Sequence, residues 1–254
     1  MAKQSGLGQR LYLRGYDISG DVGSIDNAST PTDLLDVTSI DKLAYERILG
    51  KRSGMLSFTT FFNDATDAEH DALKGLPTAD VLALWLIGTT RGDVCAALTA
   101  KQINYDATRG EDGSLVFKVD LQGTAGLFLE YGLVLVAKVT HGSATDETGI
   151  TFGVQTTVGA VGWLQHFGAA DPIPTGTIEY DIEDSSDSTN GIDGSWANLI
   201  AFSDVTDPWA ETAERVAVDG DVEKYVRAST NGTFANADFS MGFRRRVEGD
   251  VDAA

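Results

Sequence analysis

Strict alternation of apolar and polar residues constrains this chain more than any other feature of its sequence. From Leu115 to Gln122, every second residue is Leu, Phe or Val. From Ile178 to Glu183, Ile, Tyr and Ile alternate with three carboxylates. A period of two places one set of side chains on a buried sheet face and the other set toward solvent. The pattern therefore predicts a mainly β protein.

The same reasoning predicts further strands over shorter apolar stretches. These are Arg10–Tyr16, Met55–Phe62, Val81–Ile87, Leu133–Val139, Lys224–Ser229 and Phe234–Phe243. Between these stretches lie short motifs in which Asn or Asp is followed by Gly, and such motifs are typical of turns. They are Glu111-Asp112-Gly113, Asn190-Gly191, Asp193-Gly194, Asp219-Gly220 and Asn231-Gly232.

Helix is sparse in this reading. Asp64–Leu73 has acidic residues early and Lys74-Gly75 at its end, a pattern typical of a short capped helix. Ser195–Ile200 could form one or two further helical turns.

The charge balance limits the classes of function. The chain has 19 Lys and Arg against 38 Asp and Glu, a formal charge of −19. Proteins that grip nucleic acid need an excess of basic residues, so that class is excluded. The longest apolar run, Val81–Ile87, is far below the ~20 residues of a membrane-spanning helix. The polar start from Met1 to Gly6 predicts no signal peptide.

A length of 254 residues predicts one large or two small domains, and an internal repeat favours two. Three matching positions recur at offsets of 123, 120 and 119 residues: Met55 with Ile178, Tyr105 with Tyr225, and Gly113 with Gly232. A nearly constant offset suggests two copies of one β unit. We expect the units to span residues 1–126 and 127–254, with the join at Gly123–Glu130.

No catalytic or metal site is predicted. His70 lies among Asp67, Glu69 and Asp71 without a second histidine nearby, so we interpret the cluster as a solvated helix N-terminus. His141 and His166 are isolated. The single cysteine, Cys95, excludes cysteine-clustered metal sites and predicts a small buried residue. We therefore predict a protein that is not an enzyme and needs no cofactor.

Two charged segments leave alternatives open. Residues 181–193 are rich in Asp, Ser and Asn, a composition that calcium prefers, but their spacing differs from a calcium-loop register. A polar loop is the other interpretation. The run Arg244, Arg245 and Arg246 could contact an acidic neighbouring subunit or remain solvated.

Beside these patterns, the order of short motifs in the N-terminal part resembles a known family. The motifs, in chain order, are Leu-Tyr-Leu-Arg-Gly-Tyr-Asp-Ile-Ser-Gly-Asp ending at Asp21, Leu-Asp-Val-Thr from Leu35, Glu-Arg-Ile-Leu-Gly from Glu46, and the strand Gly54–Phe62. The C-terminal motifs Glu214-Arg215-Val216, Tyr225-Val226-Arg227, Gly232-Thr233-Phe234 and Phe243-Arg244 are also similar. The family is the major tail tube proteins of long non-contractile-tailed (siphovirus-type) bacteriophages. Its simplest members carry one unit per chain, so a duplicated chain departs from them.

The resemblance implies a fold and an assembly. Each unit is expected to be a β-sandwich or barrel with a short flanking α-helix, and the sheets are expected to join across subunits into a closed β-barrel ring. Two units per chain favour three chains per ring over six. Stacked rings would form the hollow tail tube that conducts the DNA genome from capsid to host, without specific DNA binding. The implied partners are other copies of the chain and the tail tip, tape measure and tail terminator proteins. The implied location is the virion tail, with assembly in the host cytoplasm.

The resemblance also implies roles for named residues. The long loop at about 19–36 would be an arm that reaches an adjacent ring, with Asp21, Asp26, Asp33, Leu34 and Leu35 as stacking candidates. An acidic lumen would repel DNA phosphates, and its candidate residues are Asp120, Glu179, Asp181, Glu183 and Asp238.

Two other classes stay open at this point. A carbohydrate- or receptor-binding β-sandwich module of a phage tail could use Trp163, Trp196 and Trp209 for stacking, although core packing is the other interpretation of those rings. A hydrolase with two dispersed carboxylates would need a chosen pair, and no sequence feature selects one.

Overall fold

A computed structural model describes residues 6–124, 127–169, 176–206 and 209–248. These residues form 20 strands and one short helix, α1 at Glu69–Leu73. The strands in the first half are β1 Arg10–Leu13, β2 Tyr16–Asp17, β3 Val22–Ser29, β4 Thr32–Asp36, β5 Arg47–Arg52, β6 Met55–Phe61, β7 Val81–Leu86, β8 Val94–Gln102, β9 Asp106–Arg109 and β10 Leu115–Gly123. Those in the second half are β11 Glu130–His141, β12 Thr145–Asp146, β13 Ile150–Thr151, β14 Ala160–Ala169, β15 Thr177–Ser185, β16 Ala197–Ala201, β17 Val205–Thr206, β18 Thr212–Val218, β19 Tyr225–Thr233 and β20 Ala237–Arg245.

The strands form one large sheet, one smaller sheet and a separate hairpin. The large sheet has 12 strands, with the order β18-β14-β20-β11-β8-β10-β6-β3; β7 and β1 extend from β8 as a branch. The smaller sheet has six strands around the order β12-β19-β15-β16, and β4 and β5 pair only with each other. The prediction of a mainly β protein is confirmed.

The core consists of three apolar clusters on the two faces of the large sheet. One cluster fills the space between the large and the small sheet, with Tyr180 and Phe239 among its fully buried rings. A second lies beneath α1, around Phe58 and Leu98. A third surrounds Trp163, on the face of the large sheet opposite the first cluster. Each cluster removes apolar area from water, which is the main favourable contribution to folding.

The large sheet runs through the expected join between the two halves. Strand β8 of the first half pairs with β11 of the second, with Glu130 opposite Ala97. The repeat offsets also connect strands with different partners. Tyr105 precedes β9, which forms a hairpin with β10, whereas Tyr225 begins β19, which lies in a different sheet from β20. The strand pairing at this offset therefore differs between the two halves, and the division into two copies of one β unit stays a prediction.

Several local predictions were wrong. Ser195–Ile200 was predicted as a helical turn, but it overlaps strand β16, which pairs with β15. The described part of the second half contains no helix, so the flanking helix expected for each unit occurs only in the first. The segment 19–36, predicted as a loop, contains β3 and β4.

The turn predicted at Asn231-Gly232 was also wrong, because both residues continue β19. Gly232 has a φ of +96°, and a Cβ there would lie 2.3 Å from the Thr177 carbonyl oxygen. The glycine therefore provides a left-handed residue inside a strand rather than a chain reversal.

Helix length is also relevant to membrane insertion. Among the residues that the structure describes, no helix is long and apolar enough to cross a bilayer.

Candidate assembly surfaces

The strand order of the large sheet ends in β3 and β18. Strand β3 pairs only with β6, and β18 pairs only with β14; on the branches, β2 and β9 also pair on one side only. Strand β3 carries two register shifts, at Val22/Ser24 and at Ile25/Asn27, which limit regular pairing along part of this edge. The regular part of β3 and strand β18 each have one side on which a strand of a second copy can pair.

The second surface is a hairpin formed by β4, β5 and the residues between them, 32–52, which we call the exposed hairpin. It continues the β3–β6 pair past the core: Ser29 lies opposite Met55, and the Ser53 N–H donates to the Pro31 carbonyl at 3.2 Å. Beyond that point, the large apolar side chains are no longer packed against the core. They are Leu34, Leu35, Val37, Ile40, Leu43, Tyr45, Ile48 and Leu49, and all eight are exposed.

The density of these side chains marks the exposed hairpin as an interaction surface. Its eight are among 19 large apolar residues exposed in the described part of the chain. Concentrated exposure of this kind is typical of protein–protein contacts, whereas scattered single residues are ordinary. The exposed hairpin also has four acidic and four basic residues, so its net charge is zero and the rest of the chain carries the whole −19.

The five arm candidates separate into two groups. Asp33, Leu34 and Leu35 lie on β4 in the exposed hairpin. Asp21 and Asp26 belong to the body of the protein. Asp21 accepts hydrogen bonds from the Asn63 side chain at 2.9 Å and from the Glu69 N–H, so it positions the start of α1. Asp26 accepts hydrogen bonds from Ser24 and Thr59 on the large sheet.

Three of the five lumen candidates share one face of the small sheet. Glu179, Asp181 and Glu183 alternate along β15 with the core residues Ile178, Tyr180 and Ile182. Opposite them on β19 stand Asn231, Ser229 and Arg227. We call these six residues and their neighbours the polar face of the small sheet.

Most acids on this polar face already have partners. Asp181 accepts hydrogen bonds from Asn198 at 2.6 Å and from Asn231 at 3.1 Å. Arg227 forms ion pairs with Glu183 at 2.6 Å and with Asp146 at 2.9 Å. Glu179 is exposed. The polar face of the small sheet can therefore present negative charge to solvent, chiefly through the exposed carboxylate of Glu179.

Asp120 and Asp238 lie on the large sheet, away from that face. Burial alone would raise the pKa of Asp120, but hydrogen bonds from Ser57 and Asn104 and the nearby Lys118 outweigh it, and the pKa is lowered. Asp238 accepts a hydrogen bond from Thr140 on the paired strand. The five candidates therefore do not line a single surface within one chain.

The arginine run at the end of β20 is tied into its own chain. Arg245 donates to the carbonyls of Val154 and Glu223, and its guanidinium lies 4.4 Å from the Phe152 ring centroid. Arg246 pairs with Asp219, and Arg244 lies 3.9 Å from Glu130. A solvated run is therefore wrong; contact with another subunit stays a prediction.

The acidic loop at 181–193 uses its carboxylates for its own turns. Asp193 accepts hydrogen bonds from the Thr189 hydroxyl at 2.6 Å, from the Thr189 N–H at 2.8 Å and from Ser188, and these bonds lower its pKa to about 2. Asp187 accepts from Ser185 and the Ser195 N–H. Across the described ranges, no group of three or more His, Cys, Asp or Glu could hold a metal ion.

The tryptophans are mainly packing residues. Trp163 is fully buried and Trp209 is nearly so. Trp196 donates its indole N–H to the Asp193 carbonyl at 3.0 Å, and the Arg227 guanidinium covers its ring at 4.3 Å. No open aromatic platform for a sugar is found among these three rings.

The cluster around His70 is solvated only in part: Asp67 and Asp71 are exposed, but Glu69 and His70 are anchored. Glu69 is fully buried and accepts a hydrogen bond from the Thr60 hydroxyl at 2.6 Å. His70 Nδ1 lies 3.0 Å from the Tyr105 hydroxyl. Cys95 is buried as predicted, and burial raises the pKa of its thiol to about 12.

Comparison with known proteins gives only distant structural similarities. No protein-family model matches the chain, and no curated protein matches it. Among solved structures, the chain is similar to a component of the virion of a native gene transfer agent particle, with 16% identity, 51% of this chain and 98% of that chain covered, and a TM-score of 0.39. It is also similar to the SPP1 Dit (gp 19.1) protein, described as a paradigm of hub adsorption apparatus in Gram-positive infecting phages, with 10% identity, coverage of 93% and 99%, and a TM-score of 0.34.

A third similarity is to a chain of the phage p2 baseplate in its activated conformation, with 9% identity, coverage of 94% and 98%, and a TM-score of 0.30. These structural neighbours are components of phage tails or related particles. At such TM-scores, their roles do not transfer to this chain.

Proposed function

We propose that this protein is a structural component of a phage tail that polymerises into stacked rings, forming a hollow tail tube. The observation that carries the proposal is the pair of free edges on the large sheet, combined with the exposed hairpin that extends from one of them. The sequence resemblance to major tail tube proteins supports the same function. The proposed location is the virion tail.

The two free edges favour a ring. Strands β3 and β18 differ in sequence and lie at opposite ends of the strand order, so joining them pairs one copy head-to-tail with the next. Contacts of this kind generate closed rings when the rotation closes. We propose rings of three chains, each contributing two β units, bounded by residues 1–126 and 127–254.

The exposed hairpin then provides the contact between rings. Its apolar side chains gain about 25 cal/mol for each Å² that a neighbouring chain covers. Because the hairpin is neutral while the rest of the chain carries −19, it can approach another copy with less repulsion than an acidic surface of the body. Asp33, Leu34 and Leu35 are the proposed stacking residues.

In the proposed tube, the acidic charge would help the genome pass through the lumen. A lumen lined by carboxylates repels DNA phosphates, whereas basic side chains would bind them with release of counterions. We propose that the polar face of the small sheet, with Glu179 foremost, contributes to that lining. Glu179→Lys is expected to leave tubes intact, because Glu179 is exposed, and to slow genome ejection.

The proposed partners follow from the same assembly. They are other copies of this chain along the tube, the tape measure protein inside it, and the tail tip and terminator proteins at its ends. Assembly would take place in the host cytoplasm, and DNA would pass without specific binding.

Electron microscopy of the purified protein at rising concentration tests the proposal. We expect rings and hollow filaments with a regular axial repeat. Discrete monomeric particles at every concentration, together with binding of a glycan by the monomer, would instead favour a carbohydrate-binding module.

A further inference from the structure

A cleft of about 340 Å³ opens on the large sheet. It is lined by Val94 on β8, Tyr131 and Leu133 on β11, and Phe152 and Phe243 from the second half. Strands β8 and β11 meet at this point, with Val94 opposite Leu133. The cleft therefore lies where the two halves of the chain share one sheet.

The lining combines apolar chemistry with exposure. Val94 is 46% exposed and Tyr131 is 53% exposed, although both belong to the middle of a 12-stranded sheet. Val154 is 71% exposed, and its carbonyl accepts a hydrogen bond from Arg245, which lines the cleft. Two of the 11 large apolar residues exposed outside the hairpin thus line the cleft, Val154 lies beside it, and no segment described in this chain covers them.

The exposed hairpin has apolar side chains that lack a surface to pack on. Leu34 lies opposite Leu49, and the next pair along, Leu35 with Ile48, points to the other side of the ribbon. Both faces are therefore apolar and exposed, and a two-stranded ribbon is marginal in water without a surface to pack on. The chain's own cleft is open, so its own hairpin does not fill it.

Charge favours a match between these two surfaces. Arg244 and Arg245 flank the cleft while keeping their contacts within the chain, and they provide local positive charge in a body that is otherwise strongly acidic. On the hairpin, Asp33 and Asp36 flank the two leucines of β4. A leucine in the cleft would place a carboxylate near the arginines.

We propose that this cleft receives the exposed hairpin of a second copy of the chain, with Leu34 or Leu35 of β4 seated between Val94, Tyr131 and Phe152. The inference rests on the proposed function insofar as it assumes self-association, and it names the receiving surface. It also predicts that each copy both donates a hairpin and accepts one, so the contact can propagate from copy to copy.

Cross-linking between two single-cysteine variants tests the contact. Leu35→Cys protein is mixed with Val154→Cys protein and treated with a short bismaleimide, and the linked peptides are identified by mass spectrometry. The native Cys95 is fully buried and does not compete. The matched control replaces Val154→Cys with Ile103→Cys, which is 57% exposed and follows β8 at the end opposite Val94. We expect the 35–154 link to exceed the 35–103 link by about tenfold, because a docked pair has a high effective concentration.

The outcomes separate this inference from the proposed function. Rings or tubes with equal linking to positions 154 and 103 would overturn docking in the cleft and leave the proposed tail tube intact. The 35–154 link in isolated dimers, without rings or tubes, would support docking in the cleft and contradict the proposed tail tube. Absence of both assembly and linking would overturn both.

A charge variant provides a second measurement. Tyr131→Asp places a carboxylate in the cleft, and we expect it to weaken self-association at least about tenfold, the effect of losing one buried aromatic contact. Ile192→Asp is the control and should leave association unchanged. Equal association of both variants, with unchanged unfolding midpoints, would overturn the proposed docking.

Discussion

The body of the protein and the exposed hairpin follow the same β-strand rules with opposite results. In the body, alternating apolar residues such as Phe58 on β6 are fully buried against other strands. In the hairpin, Leu34 and Leu49 occupy equivalent paired positions but remain 62% and 66% exposed. The comparison shows that the apolar side chains of the hairpin contribute little to the stability of an isolated chain. Variants in the body should therefore affect unfolding, and variants in the hairpin should affect association.

The largest expected effect is in the body at Trp163. Its ring is fully buried in the cluster with Leu84, Cys95 and Val134. Trp163→Ala removes that ring and leaves a cavity, so we expect the free energy of unfolding to fall by about 3 to 5 kcal/mol. Denaturant unfolding measures the change. A loss below about 1 kcal/mol would show that the cluster is not a packed core.

The next largest effect is expected at the ion pair between β18 and β11 of the large sheet. Arg215 on β18 donates to both carboxylate oxygens of Glu130 on β11, at 2.7 and 2.9 Å, and both side chains are largely buried. Glu130→Ala leaves the guanidinium without this partner, at a cost of about 3 kcal/mol. Replacing both residues by Met should cost less than the single change, and a double variant less stable than Glu130→Ala would contradict this account.

A pH effect of about 2 kcal/mol is expected from His166. Its Nδ1 lies 2.8 Å from the Tyr180 hydroxyl, and burial lowers its pKa from 6.5 to about 4. Below about pH 6.5 the unfolded chain binds a proton that the folded chain excludes, so stability is lost as the pH falls toward about 4. Unfolding at about pH 7 and about pH 4.5 is compared between the natural chain and His166→Gln, which cannot titrate. An identical pH dependence in the two chains would refute the effect.

The smallest effect on unfolding is expected in the hairpin. Leu34→Ser with Leu49→Ser should change the monomer's free energy of unfolding by no more than about 0.5 kcal/mol, because both side chains are already exposed. Self-association, measured by sedimentation, should weaken strongly. The control pair, Ile103→Ser with Ile192→Ser, removes two other exposed side chains and should affect neither property.

The sequence predicts the regular strands of the body well, because one buried face produces a visible period of two. Strands such as β6, β7, β10 and β15 lie within or close to the predicted ranges. Strand β8 was missed because both of its faces are buried: Cys95 and Ala97 pack in one cluster, and Ala96 and Leu98 in another. A strand buried on both sides loses its alternation.

Strand β3 was missed for a different physical reason. Its partly buried residues Val22, Ile25 and Ala28 recur every third position, since two bulges interrupt the pairing with β6. A bulge adds a residue and shifts the faces of the strand, so a period-two pattern cannot detect it. The helix expected at Ser195–Ile200 fails because pairing with β15, rather than local propensity, fixes that segment.

The candidate surfaces were predicted less completely than the fold. Leu34 and Leu35 were identified in the sequence as the end of an arm, and the structure places them on the exposed hairpin. The cleft at Tyr131 was not identified, since its residues come from strands far apart in sequence. The partners of the Arg244–Arg246 run were missed for the same reason.

Hydrogen exchange of residues 32–52 tests the central claim most directly, because it reports on the hairpin in dilute and in concentrated protein alike. We predict rapid amide exchange in the dilute monomer and strong protection of the hairpin once copies associate, while the amides of β6 and β10 are protected in both. Hairpin amides that exchange at the same rate at every concentration, in samples where copies have associated, would contradict the account.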